Sequence, residues 1–145
     1  MQTCGKGYRF EIDGWDYLHI EGDDFERGYQ HGFLMADRLK TIMSSVKYMT
    51  MYNTGKTWEF FKEAAVGMWR TKITNELMRE MKGISLGAIE AGADVSFDDI
   101  LAWNGQEELS DYWWPNEAKK RGIDREYPDN EHCSAFMAHG DATDG

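Results

Sequence analysis

"YRFEIDGWDYLHIEGDDFERGYQHGFLMAD" (residues 8–37) changes its period midway, and that change decides the fold class. In its first half Tyr8, Phe10 and Ile12, then Trp15, Tyr17 and His19, alternate with Arg9, Glu11, Asp16, Leu18 and Ile20, the pattern of a half-buried strand. Asp13-Gly14 separates the two runs, and an Asp-Gly pair supplies the positive-φ residues of a two-residue hairpin turn. Two antiparallel strands are expected, over 8–12 and 15–20. In the second half Asp23 and Glu26 have the spacing of a capping box, so a helix should start near Asp24 and run for several turns.

Beyond that start, Phe33, Leu34, Leu39, Ile42, Met43 and Val46 recur at threes and fours, the period of a helix with one apolar face. Gly28, Gly32 and Ala36 form a second stripe spaced by four. A glycine inside a helix costs about 1 kcal/mol relative to alanine, and close packing against another backbone is the simplest explanation for two of them. "NTGK" (53–56) breaks the helix. "TWEFFKEAAVGMWRTKITNELMREMKGISLGAIEAG" (57–92) then reads as two consecutive helices or one long bent helix, stopping at Gly92. Ser96 with Asp99 makes a second capping box, opening a helix over "FDDILAWNGQEELSDYWW" (97–114) in which Gly105 marks a weak point.

Pro115 is expected to end that helix. The charged residues from there to Glu131, with a second proline at Pro128, read as an exposed loop over 115–131. A short apolar strand over Cys133–His139 and a "GDATDG" turn complete the chain. The expectation is an α+β chain, mostly helical, with an N-terminal hairpin, about four helices and a C-terminal strand that needs a partner.

Composition limits what such a chain can do. Its 145 residues carry six Trp, seven Tyr, seven Phe and nine Met against two Pro, which argues for one well-packed domain and against disorder. Lys and Arg total 16 against 26 Asp and Glu, a net charge of −10, so no basic stripe is available to neutralise phosphates and nucleic acid is not an expected partner. No apolar run reaches the roughly 20 residues of a membrane span, and "MQTCGKGYRF" lacks the form of a signal peptide. The expectation is a soluble chain whose localisation the sequence leaves unknown. Cys4 and Cys133 sit near opposite ends with no spacing that suggests a disulfide framework.

Chemistry concentrates around Cys133. Glu131, His132, Cys133, His139 and Asp141 crowd a short span, yet the paired spacing of zinc ligands is missing, and no metal is expected. A thiol–imidazole pair could draw on His19, His31 or His139. A third possibility follows from position, since cleavage of the His132–Cys133 bond would give Cys133 a thiol and a free α-amine. With a reference pKa of about 7.7–8.0, that amine can serve as general base for its own side chain. Spacing alone does not choose among these.

Three stretches, "GWDYLHIEGDDFERGYQHGFLMAD" (14–37), "DDILAWNGQEELSDYWWPN" (98–116) and "HCSAFMAHGDATDG" (132–145), resemble the autoproteolytic acyltransferase/hydrolase group of N-terminal nucleophile (Ntn) hydrolases. That group includes acyl-CoA:6-aminopenicillanic acid acyltransferase and the phospholipase B-like proteins. The resemblance implies that 1–132 is a propeptide-like segment and that 133–145 begins the nucleophile strand of a four-layer αββα fold. It implies self-cleavage between His132 and Cys133, then attack by Cys133 on a small-molecule amide or acyl substrate, with no cofactor.

The resemblance also implies a long β-rich portion after the "DG" turn, containing the oxyanion-hole asparagine. The 145-residue chain by itself is therefore expected to be inactive, and to self-associate through apolar surface left uncovered. Gln30 and His31 could reach the catalytic strand, although capping and surface pairing explain the neighbouring Glu26 and Arg27 equally well. Asn104, Glu108, Tyr112, Trp113 and Trp114 could wall an acyl pocket, core packing being the competing role of the tryptophans. The rival reading of the whole is an acidic helical interaction module with an inert cysteine.

Overall fold

A computed structural model describes residues 1–123 of the chain. The anticipated strand Cys133–His139, the His132–Cys133 bond and the second half of the anticipated loop lie outside the described residues. What is described is mostly helical with a small antiparallel sheet, in line with the α+β class.

Strands β1 (Gln2–Cys4), β2 (Gly7–Ile12) and β3 (Trp15–His19) form a sheet in the order β1-β2-β3. The β2–β3 hairpin has the expected register, with Tyr8 opposite His19 and Ile12 opposite Trp15. Asp13 (φ 52°) and Gly14 (φ 81°) both take positive φ, as a primed turn requires. The sequence reading missed β1, which is three residues long and has no alternation of its own to betray it.

The two faces of this sheet are used the opposite way from the usual polar-out arrangement. Arg9 and Asp16 point toward the helices. The Arg9 guanidinium donates to Asp16 at 2.7 Å, to Asp37 at 2.6 Å and to the Leu34 carbonyl at 2.8 Å, while Arg38 donates to Asp16 at 2.8 Å. The aromatic face looks outward, with Tyr8 stacked on His19 (4.9 Å between centroids) and Phe10 on Tyr17 (5.2 Å).

Helix α1 (Asp24–Leu34) begins with the capping box, Asp23 accepting from the Glu26 amide at 2.9 Å and Glu26 from the Asp23 amide at 2.8 Å. It ends sooner than its periodicity implies. Met35 leaves helical geometry (φ −110°, ψ 15°), the Leu34 carbonyl turns to Arg9, and α2 (Ala36–Thr54) departs in a new direction. Sheet docking and helix bend thus share one guanidinium.

Helices α3 (Trp58–Trp69) and α4 (Asn75–Glu90) settle the ambiguity of 57–92 as two helices, each opened by a threonine cap, Thr57 and Thr74. Gly92 (φ 86°) ends the turn after α4. The glycine stripe of α1 meets a matching stripe on α4. A Cβ on Gly28 or Gly32 would overlap the carbonyl oxygen of Glu80 or Ile84, and one on Gly83 or Gly87 would overlap that of Phe25 or Tyr29. The two backbones therefore lie in direct contact along most of α1.

Helix α5 (Phe97–Asn104) starts at the Ser96–Asp99 capping box and stops at Gly105. A π-helical turn (Glu108–Trp113) and helix α6 (Trp114–Lys120) follow. The anticipated loop over 115–131 is thereby corrected in its first part: Pro115 sits in the first turn of α6 and does not end the helical path. Proline is tolerated there, and in an ordinary α turn its ring would meet the carbonyl four residues back. The widened turn before it, in which the Trp114 amide bonds the Leu109 carbonyl five residues back, relieves that conflict. The core lies among α3, α4, α5 and α6, around Phe61, Ala65, Ala88, Val95, Leu101, Leu109 and Trp114.

Candidate functional site

A cavity of about 360 Å³ opens where α3, α4 and α5 converge. Each wall is one helical face. Helix α4 contributes Leu77, Glu80, Met81 and Ile84, and the path from α5 into the π-helical turn contributes Leu101, Asn104, Gly105 and Glu108. Both sets follow threes and fours, so each lies along one side of its helix. Trp69 at the end of α3 and Ile73 in the following turn close the third side.

Gly105 makes room for the indole of Trp69, whose ring a Cβ at that position would strike. The glycine that weakened the helix in the sequence is thus a packing site for the cavity's largest wall residue. The lining is apolar except for the Asn104 amide and the carboxylates of Glu80 and Glu108, and it contains no Lys or Arg. Asn104 donates to the Ile100 carbonyl at 2.9 Å, which fixes its rotamer along α5. The volume falls at the small end of ligand pockets, which run to about 300–1,000 Å³.

The residues singled out in the sequence divide into three groups. Asn104 and Glu108 line the cavity. His31 lies near it: burial lowers the imidazole pKa, the Glu80 carboxylate acting in the opposite direction, and Glu80 is itself a lining residue. Gln30 belongs elsewhere. Its amide grips the backbone of Glu21 at both ends, accepting from the Glu21 N–H at 3.0 Å and donating to the Glu21 carbonyl at 2.8 Å.

Trp113 joins Phe60, Phe61 and Trp114 in an aromatic cluster with centroid separations of 5.4–6.4 Å. Trp114 is fully buried, so core packing accounts for both tryptophans. Tyr112 is half exposed on the π-helical turn and is not part of the cavity wall. His132 and Cys133 lie outside the described residues.

Sequence reasoning missed Glu80, the acidic residue on an otherwise apolar face of α4. The available signal was the apolar register of Leu77, Met81 and Ile84, into which Glu80 falls. Glu108, Tyr112 and Trp113 all fall on the π-helical turn, a distortion frequently found at functional sites.

A second recess, about 350 Å³, lies between the β1–β2 turn and α1 and includes Cys4, Lys6, Glu21, Tyr29 and Gln30. Burial and then Glu90 push the Cys4 thiol pKa up, which keeps it protonated and poorly nucleophilic. Lys6 and Glu21 pair at 3.0 Å across its rim. Among the described residues no group of three His, Cys, Asp or Glu side chains could hold a metal ion, and no helix is long and apolar enough to cross a membrane.

No family model matches the chain, and no solved structure matches it. It is 29% identical over 161 aligned positions to an uncharacterized protein of Archaeoglobus fulgidus, an alignment that takes in 99% of this chain and 26% of that protein. The chain therefore spans about a quarter of the length of that curated relative.

Proposed function

We propose that this chain is the N-terminal part of a cysteine Ntn hydrolase that cleaves itself before Cys133 and then hydrolyses amide bonds or transfers acyl groups. The observation that carries the reading is the "HCSAFMAHGDATDG" motif (132–145), a cysteine opening a strand-like run after a charged segment. The Cys133 thiol attacks the His132 carbonyl, the peptide bond is exchanged for a thioester with release of the Cys133 α-amine, and water then cleaves the thioester to give the His132 carboxylate and the free Cys133 thiol. The freed thiol then attacks a substrate carbonyl while the α-amine takes and returns the proton. The chemistry calls for no metal or organic cofactor, and the same geometry needs donors for the developing oxyanion.

The described residues support the reading in one respect. The motif stretches 14–37 and 98–116 both pack on α4, and the second of them places Asn104 and Glu108 at an apolar cavity suited to the apolar part of an acyl substrate. Peptide mapping of the protein recovered from its native cells tests the proposal. A peptide whose first residue is Cys133 is the expected finding. Recovery of only peptides that run unbroken through His132–Cys133 would sink it.

A second reading, an acidic interaction module with an inert cysteine, is favoured by one observation: Trp15, Ile12 and Tyr17 are 72%, 52% and 49% exposed on one sheet face. Exposed apolar surface of this kind marks interaction sites. Under this reading Cys133→Ala leaves the mapped peptides and the partner binding of the native protein unchanged.

A further inference from the structure

The cavity among α3, α4 and α5 combines an apolar interior with a one-signed rim. Trp69, Met81, Ile84 and Leu101 offer mostly hydrocarbon, sulfur and aromatic surface, while Glu80 and Glu108 enter from two different helical segments. Neither carboxylate is matched by a Lys or Arg among the lining residues. His31 on α1 interacts electrostatically with Glu80. Of the cations on the neighbouring elements, Lys62 pairs with Glu59 and Asp99, Arg70 with Asp98, and Arg79 with Asp23, while Lys72 and Lys82 are not among the lining residues.

We propose that this cavity is a binding site for a small amphipathic cation, an ammonium group on a short alkyl or aryl tail. The tail occupies the apolar interior, where leaving water is favourable. The ammonium group stays at the rim between Glu80 and Glu108 and donates to the carboxylates and to the Asn104 amide oxygen. An anionic tail of the same length meets two like charges at the same point, so the rim selects by sign as well as by size.

This site deepens the Ntn-hydrolase reading, because it would set the charge of an acyl substrate's polar end, yet it does not depend on cleavage at Cys133. The test titrates the 145-residue protein at pH 7 with hexylamine and, separately, with hexanoate, following the indole N–H resonance of Trp69 by ¹H–¹⁵N NMR. Hexylamine should shift that resonance and bind about tenfold more tightly than hexanoate, a ratio equivalent to about 1.4 kcal/mol.

Glu80→Gln and Glu108→Gln keep the side-chain shapes and should each reduce the ratio, the double variant bringing it near one. Thermal melts confirm that the variants remain folded. Equal affinity for the two probes, no perturbation of Trp69, or an unchanged ratio in the folded double variant each overturns the proposal. Cys133→Ala should bind hexylamine as the parent does, which separates failure of this site from failure of the self-cleavage reading.

Discussion

The Trp58 indole N–H donates to Asp99 at 2.9 Å in the core, so the first residue of α3 is tied directly to the capping carboxylate of α5. Asp99 is 4% exposed and also accepts from the Ser96 amide and hydroxyl, with the Lys62 ammonium 3.2 Å away. One carboxylate therefore caps its own helix and joins it to the element that closes the cavity's third side.

Burial works to raise the Asp99 pKa, but the Ser96 bonds, the Trp58 N–H and Lys62 outweigh it and hold the carboxyl below its ordinary value. A depressed folded-state pKa means that the unfolded chain binds the proton more readily. The stabilisation is complete above the unfolded value of about 3.9 and is lost as pH falls through the lower folded value. Asp99→Ala should cost about 2–4 kcal/mol at pH 7, where it leaves Lys62 and the Trp58 N–H without their buried partner. Trp58→Phe should cost nearer 1 kcal/mol through the lost hydrogen bond. Melting temperatures of Asp99→Asn and the parent, measured from pH 7 to pH 3, should converge as pH falls. Parallel curves would show that Asp99 is not the acid-sensitive group.

The crossing of α1 and α4 predicts opposite signs for two identical substitutions. Gly32→Ala places a methyl group on the Ile84 carbonyl, and neither backbone can yield without separating the helices, so a loss of about 3 kcal/mol is expected, the upper end for overpacking. Gly67→Ala on α3 meets nothing within 4 Å and should stabilise by about 0.5–1 kcal/mol through helix propensity. Urea melts of both variants check the pair. A neutral Gly32→Ala would mean that the helices do not approach as closely as the glycines allow.

Much of this geometry was legible where one residue type has one physical use. Asp13-Gly14, the Asp23–Glu26 and Ser96–Asp99 boxes and the Gly28/Gly32 stripe each pointed to the observed element, because caps, primed turns and close helix contacts draw on few residues. Features set by distant partners were not legible. The bend at Met35 depends on Arg9 reaching the Leu34 carbonyl, and the survival of the helical path through Pro115 depends on a widened turn. The cavity was half visible: Asn104 and Glu108 stood in a motif, whereas Glu80 becomes a wall residue only after α4 is laid beside α5. The sheet alternation was read correctly as a pattern, but pattern alone does not say which face the helices cover.

Gln30 separates a structural from a catalytic role. Its amide closes two hydrogen bonds with the backbone of one residue, Glu21, so Gln30→Ala should destabilise the fold by about 1–3 kcal/mol and loosen the join between β3 and α1. Hydrogen exchange of the Glu21 amide is the direct readout and should accelerate in the variant. Gln30→Glu should behave no better, because a carboxylate cannot donate to the Glu21 carbonyl. Unchanged stability and exchange in Gln30→Ala would return Gln30 to the list of functional candidates.

The outward face of the sheet should drive self-association. Ile12 and Trp15 face each other across the hairpin end, Tyr17 stacks on Phe10, and Tyr8 stacks on His19, so the apolar surface is continuous over six side chains. Tyr48 and Tyr52 on α2 are also about 70% exposed and stack on each other, next to the exposed Met49 and Met51, a smaller patch than the sheet face. Sedimentation equilibrium at micromolar to millimolar concentration should show reversible association that added salt does not weaken, since burial of apolar surface and not ion pairing drives it. Trp15→Ser with Tyr17→Ser should shift the protein toward monomer while its melting temperature in dilute solution stays near that of the parent, because neither side chain packs into the core. Tyr48→Ser with Tyr52→Ser should leave association intact. A parent protein that stays monomeric throughout the range would show that this face does not recognise its own copy, and would direct the search toward a different partner for the same six side chains.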